Sequence, residues 1–220
     1  MELSDIKMFH YLCTTDSSLA NQVNDVYNLC IKITDYLEKR GHLSGEDKEV
    51  ITYGLFFLVF NAYCFALSII VGFIFQLVVE SIVFFFSFLF IKRYAGGYHA
   101  KKEWICLIIS SLGIIAAISI IYFSRANLSL VKTILVFSAI QSTIICLLSP
   151  LEAQDRPLDK VDVKKYKKYS LIRTIIAFIV VVVLYCFNCF LLATSIIVAL
   201  IFEGALIILG YIQKRNPMHI

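Results

Sequence analysis

The chain has 220 residues, of which 60% are hydrophobic and only 16% are charged. Soluble domains are about 45–50% apolar and about 25% charged, so this composition excludes a soluble globular fold. The apolar stretches are continuous rather than alternating, which excludes a membrane β-barrel. The formal net charge is +4, and the basic residues cluster in particular loops. Their placement indicates the orientation in the membrane and is not evidence for a polyanionic partner. We therefore expect an all-α, polytopic helical membrane protein.

Residues 1–48 are polar and are predicted to form a cytosolic amphipathic N-terminal segment. They contain no apolar stretch followed by a small-residue cleavage site, so the first spanning helix is expected to direct insertion. Residues 21–40 are predicted to be a helix, because apolar side chains recur on one helical face. These side chains are Val23, Val26, Tyr27, Cys30, Ile33 and Leu37.

The apolar stretches predict about six transmembrane helices within residues 49–212, followed by a cytosolic tail, 213–220. Residues 53–91 are apolar over about twice the roughly 20 residues that one crossing needs. This stretch predicts two helices joined by a tight turn near residues 72–76. The other spans are expected at residues 105–123, at residues 133–149 and, as a second hairpin, at residues 170–211.

Lysine and arginine are distributed unevenly over the loops that six spans would place on the two sides. One side receives 18 of the 20 basic residues, and the other side receives only Arg125 and Lys132. Because cytoplasmic loops carry an excess of Lys and Arg, we expect both termini in the cytoplasm. Loop 92–106 and the basic loop 150–169 then lie on the cytoplasmic side as well.

Loop 92–106 places a histidine and a cysteine at a membrane boundary, beside paired glycines. A cysteine attacks as its thiolate, and an adjacent imidazole favours that form. On one continuous helix His99 and Cys106 would lie about 10.5 Å apart along the axis. A dyad therefore requires the chain to bend near Gly96 and Gly97, or a contact across a dimer. Cys106 is also expected to lie too far into its span for the helix dipole to activate it alone. From spacing alone, an ordinary loop histidine and a core cysteine are the alternative.

A motif in this loop resembles the hallmark of the accessory gene regulator B (AgrB) family, the membrane peptidases that mature bacterial autoinducing peptides. It reads Arg93-Tyr94-Ala95-Gly96-Gly97-Tyr98-His99-Ala100, with Cys106 seven residues after the histidine. The resemblance extends to the chain length, the polar N-terminus, the Tyr53-Gly54-Leu55 opening of the first span and a proline-bounded basic loop after the fourth span. It covers most of the chain, and the histidine loop is its specific part.

The resemblance implies a cysteine endopeptidase in the bacterial cell membrane, with Cys106 as the nucleophile and His99 as its base. The thiolate would attack a backbone carbonyl of a small quorum-sensing precursor peptide at the cytoplasmic face and release its C-terminal tail. An internal thiol or hydroxyl of the peptide would then resolve the acyl-enzyme thioester and close a thiolactone or lactone ring. No metal, cofactor or nucleic acid is expected, and a homodimer is left open.

Several other residues are candidates for binding or positioning the substrate. Gly96 and Gly97 could offer backbone N–H groups to an oxyanion, or they could serve as a hinge. Arg93 could hold a substrate carboxylate, with the excess of basic residues on the cytoplasmic side as the alternative reason for its presence. Glu103 could orient His99, with an exposed pairing to a neighbouring lysine as the alternative, and no third triad member is assigned. Five lysines before the fifth span are expected to bind anionic headgroups: Lys160, Lys164, Lys165, Lys167 and Lys168. The last four are also candidates for docking an acidic precursor tail.

Two other functions compete with the peptidase. A small six-helix transporter would use the intramembrane carboxylates of Glu80 and Glu203. It predicts that Cys106→Ser keeps function whereas Glu80→Gln or Glu203→Gln loses it, and the peptidase interpretation predicts the reverse. A non-catalytic partner of a sensor kinase would tolerate any single substitution in the histidine loop.

Overall fold

The computed structural model describes residues 21, 23–40, 45–98, 103–151 and 160–215. Within these ranges the chain forms seven helices, and its β-type pairing is one isolated bridge between Gly96 and Leu151. The expected all-α class is confirmed. Helix α1 covers residues 23–39, and it is followed by α2 (Gly45–Ile74), α3 (Val78–Ala95), α4 (Glu103–Ser124), α5 (Leu128–Leu148), α6 (Lys160–Cys186) and α7 (Phe190–Arg215).

Five of these helices are long and apolar enough to cross a membrane: α2, α4, α5, α6 and α7. The predicted second span corresponds to α3, which has 18 residues, with Glu80 in its first turn and Lys92 and Arg93 in its last. Eighteen helical residues rise about 27 Å, close to the ~30 Å hydrocarbon thickness of a bilayer. A polytopic helical membrane protein is confirmed, whereas the sixth span and the cytoplasmic termini stay predictions.

Two three-residue turns divide the long apolar stretches into hairpins, as expected. Residues 75–77 join α2 to α3, where Gln76 has a φ of 56° and the Leu77 N–H donates to the Gly72 carbonyl at 2.7 Å. Residues 187–189 join α6 to α7, where Asn188 has a φ of 61°. Side chains with a terminal amide thus occupy the left-handed position in both turns, and Asn is enriched there because it tolerates that conformation.

The fourth span begins earlier than predicted. Helix α5 starts at Leu128 rather than at residue 133, and the Asn127 side chain accepts a hydrogen bond from the Leu130 N–H at 3.2 Å. An asparagine at this position satisfies an N–H group that has no partner within the helix. Lys132 therefore belongs to the second turn of α5 and not to the preceding loop.

The described residues fall into two compact units. The first contains those up to residue 64 together with those of 100–110, and the second contains those of 65–99 together with those from 111 onward. In the first unit, α1 packs against the start of α2. The buried hydroxyls of Thr34 and Thr52 are 2.8 Å apart, and Lys48 pairs with Asp35 at 2.6 Å and with Glu38 at 2.7 Å. These hydrogen bonds raise the pKa of Lys48.

The predicted N-terminal helix is therefore present, but one member of its predicted apolar face is wrong. Ile33 is 41% exposed, and the neighbouring Thr34 is fully buried in its place. A threonine can be buried here because its hydroxyl bonds the Ile31 and Cys30 carbonyls of its own helix as well as Thr52. The pattern of apolar side chains cannot identify a buried polar residue whose hydrogen bonds are made within its own helix and to one neighbour.

In the second unit, α7 is the central helix and packs against α3, α5 and α6. Its side chains Ile197, Leu200 and Ile207 are fully buried, in one core cluster with Ile91 of α3 and Ile145 of α5. Close approach also depends on small residues, which is typical of helix packing in membranes. A side chain at Gly204 would collide with Gln141, and one at Gly210 would collide with Leu151.

Candidate active site

The predicted catalytic loop leaves α3 through its paired glycines. Gly96 has a φ of 80° and Gly97 has a φ of 146°, a region of backbone space that glycine adopts without a steric cost. The Gly96 N–H donates to the Lys92 carbonyl at 3.2 Å, and the Leu151 N–H donates to the Ala95 carbonyl at 2.9 Å. A side chain at Gly96 would meet the Leu151 carbonyl oxygen. The glycines thus let α3 end in direct backbone contact with the segment after α5.

Gly97 continues from this contact onto the face of α7. A Cβ atom at Gly210 would lie 3.0 Å from the carbonyl carbon and oxygen of Gly97. A Cβ atom at Gly97 would lie 3.7 Å from the Leu206 Cβ and 3.8 Å from the Glu203 Oε1. The segment that leads into the histidine therefore rests on α7, directly beside Glu203.

Of the two residues of the predicted dyad, the structure describes only Cys106. His99 lies outside the described residues, and so does the Glu103 side chain, whereas Cys106 is a half-buried free thiol on α4. The described part of α4 begins at Glu103, three residues before Cys106. Because residues 99–102 lie outside the described residues, the expectation that Cys106 lies too far along its helix for the dipole to activate it alone stays a prediction.

The predicted substrate-binding cations lie on two neighbouring helices. Arg93 is exposed on the last turn of α3, with its Cζ 5.8 Å from the Tyr94 ring centroid. The first turns of α6 carry the four exposed lysines, Lys164, Lys165, Lys167 and Lys168. No contact in the described ranges joins these lysines to Gly96 or Gly97.

The two glycines differ in whether they could donate to an oxyanion. The Gly96 N–H already donates to the Lys92 carbonyl. The predicted oxyanion role therefore remains a prediction mainly for the Gly97 N–H.

A cluster around Tyr94 ties α3 to α6, and sequence reasoning missed it. The Arg173 Nη1 donates to the Phe90 carbonyl at 2.7 Å, and its Cζ lies 4.3 Å from the Tyr94 ring centroid. Tyr94 also contacts the rings of Tyr166 and Tyr169, at centroid distances of 5.3 and 5.2 Å. The available signal was the spacing of the two tyrosines and Arg173, which falls on one face of a helix. The motif residue Tyr94 thus anchors the end of α3 that carries the glycines.

Replacing Arg173 with Met is expected to weaken this junction by about 2 kcal/mol, because a charge-assisted hydrogen bond and the cation–π contacts with the Phe90 and Tyr94 rings are lost. Thermal unfolding of the purified protein in detergent would measure the change. Lys167→Met is the matched control, since Lys167 is an exposed cation of the same helix. Equal unfolding temperatures for the two variants would contradict a stabilising role of Arg173.

Comparison with known proteins agrees with the motif in this loop. The family model for accessory gene regulator B matches residues 30–209. An AgrB-like protein of Clostridium perfringens strain 13 is 28% identical over 191 residues, which cover 82% of this chain and 88% of that protein. An AgrB-like protein of C. perfringens strain SM101 is 28% identical over 163 residues, covering 70% of this chain and 75% of that protein. No solved structure matches the chain. Because the family model spans most of the sequence, the chain belongs to the accessory gene regulator B family, which is involved in the maturation of autoinducing peptides.

Proposed function

We propose that the chain is an integral-membrane cysteine endopeptidase that removes the C-terminal tail of a small quorum-sensing precursor peptide and promotes its cyclisation. The observation that supports it most directly is the family match over residues 30–209, which includes the His99 and Cys106 motif. The site lies at the cytoplasmic face of a bacterial cell membrane. The proposal goes beyond family membership in naming the catalytic type and the nucleophile.

The first half of the reaction is acyl transfer to Cys106. His99 takes the proton of the thiol, and the thiolate forms a bond to a backbone carbonyl carbon of the precursor. The Gly97 N–H is our candidate donor of a hydrogen bond to the tetrahedral oxyanion. The carbon–nitrogen bond then breaks, and the imidazolium returns its proton to the amine of the departing tail. The precursor remains attached to Cys106 as a thioester.

The second half closes the ring. An internal thiol or hydroxyl of the bound peptide loses its proton to His99 and attacks the thioester carbonyl, and the Cys106 thiolate leaves and is reprotonated. Exchange between thioesters is nearly even in free energy, whereas hydrolysis of the acyl-enzyme is strongly downhill. The site must therefore exclude water, and a half-buried thiol at the start of an apolar helix suits that requirement.

The exposed cations supply the substrate-binding part of the proposal. Arg93 follows the apolar part of α3 and can pair with a carboxylate of the precursor. The exposed lysines in the first turns of α6, a helix that packs against α3, suit an acidic tail. They also suit anionic lipid headgroups, at about 1 kcal/mol per residue.

Trapping the acyl-enzyme tests the proposal directly. The purified chain in lipid vesicles would be incubated with a synthetic precursor that has an internal cysteine and an acidic tail, encoded by a reading frame next to its gene. Mass spectrometry is expected to find the truncated precursor on Cys106 and to find that hydroxylamine removes it. A precursor with its internal cysteine changed to alanine should increase the adduct, since it cannot close the ring. Cleavage without any adduct on Cys106 would contradict the covalent route.

A further inference from the structure

A cleft of about 390 Å³ opens where the turn between α4 and α5 meets the turn between α6 and α7. The residues that line it all belong to the second compact unit. Helices α5 and α7 begin at this cleft, and their far ends lie beside Gly96 and Gly97. The cleft is therefore at the opposite end of this unit from the two glycines. Its volume falls within the range of about 300–1,000 Å³ that is usual for small-molecule sites.

Arg125 is the only charged residue among the described residues that line this cleft. Its side chain is exposed, and its guanidinium has no ion-pair or hydrogen-bond partner among the described residues. A guanidinium presents several N–H donors in a fixed planar fork, which matches the oxygens of a phosphate. The charge of the cleft therefore favours an anionic ligand.

The first turn of α7 and the turn before it supply further donors to the same cleft. Residues 190–192 line it, and N–H groups in the first turn of a helix have no acceptor within that helix. The first such bond of α7 runs from the Ala193 N–H to the Cys189 carbonyl, at 3.0 Å. Free N–H groups at a helix start suit an anion. Asn188 adds an exposed side-chain amide, so three kinds of donor share one cleft.

The rest of the lining is apolar and continues onto surfaces that face the acyl chains. The hydroxyls of Ser124 and Thr194 donate to carbonyls of their own helices, at 2.7 and 2.8 Å, so they are already satisfied. Phe123 and Phe187 each precede a lining residue and are 65% and 75% exposed. Acyl chains are as apolar as these side chains. A ligand that carries both a phosphate and acyl chains would use the donors and the apolar surface together.

We propose that this cleft binds the phosphate of an anionic phospholipid, with Arg125 as the main donor and the acyl chains along Phe123 and Phe187. A headgroup without a cation fits best, because no carboxylate lines the cleft to receive an ammonium group. On the predicted orientation the lipid belongs to the outer leaflet. The site is separate from the lysines of α6, which lie at the other end of the unit, and it does not depend on the proposed function.

Cys189 provides the measurement, because it lines the cleft and its thiol is free and exposed. The full-length protein would be reconstituted in phosphatidylcholine vesicles with increasing fractions of phosphatidylglycerol. Mass spectrometry would follow alkylation of Cys189 by uncharged N-ethylmaleimide. A bound lipid covers the thiol, so the fraction of phosphatidylglycerol that halves the alkylation rate measures affinity. Arg125→Met is expected to raise that fraction at least about fivefold, the effect of one basic residue beside anionic lipid.

Lys132→Met is the matched control. Lys132 is also an exposed cation at this end of the unit, but it does not line the cleft. Its variant should keep the wild-type midpoint, and it controls for the surface charge of the vesicles, which acts on both variants alike. Asn188→Gly removes the amide and keeps the φ of 61° accessible, so it should also raise the midpoint. Glycerol 3-phosphate added to pure phosphatidylcholine vesicles should give little protection.

The proposal is contradicted by a wild-type midpoint in Arg125→Met or, should that variant fail to fold, by a wild-type midpoint in Asn188→Gly. An equal shift in Lys132→Met would show that general surface charge, and not the cleft, controls Cys189. Protection by glycerol 3-phosphate as strong as that by phosphatidylglycerol would make the ligand a soluble anion and overturn the lipid assignment. A shift in Arg125→Met together with an unchanged Lys132→Met supports the site.

Discussion

Substituting Cys106 with Ser is expected to lower precursor processing by at least about 10⁴-fold, the scale seen when a catalytic nucleophile is removed. A serine hydroxyl is far less acidic than a thiol, so an imidazole without a serine-protease environment cannot deprotonate it effectively. The measurement is the initial rate of tail release from a synthetic precursor in vesicles. Folding should be unaffected, because the exchange of sulfur for oxygen at a half-buried site changes little volume.

Cys146→Ser provides the control for this experiment. Cys146 is another half-buried free thiol in a membrane-crossing helix, on α5 rather than on α4. Its replacement should leave processing within about twofold of the wild type, as expected for substitutions away from a functional site. Processing that survives Cys106→Ser but is lost in Glu80→Gln would instead favour the transporter hypothesis. Processing that is lost equally in both cysteine variants would indicate a general effect of polar substitutions in the bundle.

The membrane class and the positions of the helices followed from hydrophobicity alone. A continuous apolar stretch of twice the bilayer thickness can only fold back on itself, so both hairpins were predictable. The turn at residues 75–77 lies within a few residues of its predicted position, whereas no position was predicted for the turn at residues 187–189. The start of α5 was not, because the cap formed by Asn127 decides it. A single capping hydrogen bond extends a helix across a lysine that the hydropathy pattern treats as a loop residue.

The long-range contacts of the site could not be read from the sequence. The pairing of Gly96 with Leu151, the contact of Tyr94 with Arg173 and the position of Glu203 beside Gly97 each join residues far apart in the chain. A local pattern contains no information about which helices become neighbours. Glu203 is fully buried on α7, as is usual for a carboxylate inside a membrane-spanning helix. The sequence could not show that the residue next to it in space is Gly97.

The environments of the two intramembrane carboxylates differ in a way that bears on the transporter hypothesis. Glu80 is half-buried in the first turn of α3, next to the turn at residues 75–77. A carboxylate at a helix N-terminus is favoured by the helix dipole, so Glu80 has a structural reason to be present without any transport role. Glu203 lies mid-helix, where no such reason applies.

Replacing Gly96 with Val is expected to destabilise the protein by about 3 kcal/mol or more. A β-branched residue at a φ of 80° is strained by about 1–3 kcal/mol before any contact is considered. The added Cβ would also meet the Leu151 carbonyl oxygen, which belongs to backbone and cannot rotate away as a side chain would. The bridge between the end of α3 and residue 151 must then open, and a loss of this size is a large part of the stability of an ordinary domain.

Gly54→Val is the matched control, because Gly54 lies within α2 and a Cβ atom there would have nothing within 4 Å. Both variants add the same side chain to a membrane helix or its end, so they differ only in backbone conformation and available space. Thermal unfolding in detergent should separate them clearly, with Gly54→Val close to the wild type. Since Gly96 also sets the direction in which the chain runs toward His99, Gly96→Val protein that does fold is expected to process precursor poorly. A folded, fully active Gly96→Val variant would show that the geometry at this position does not position the histidine loop.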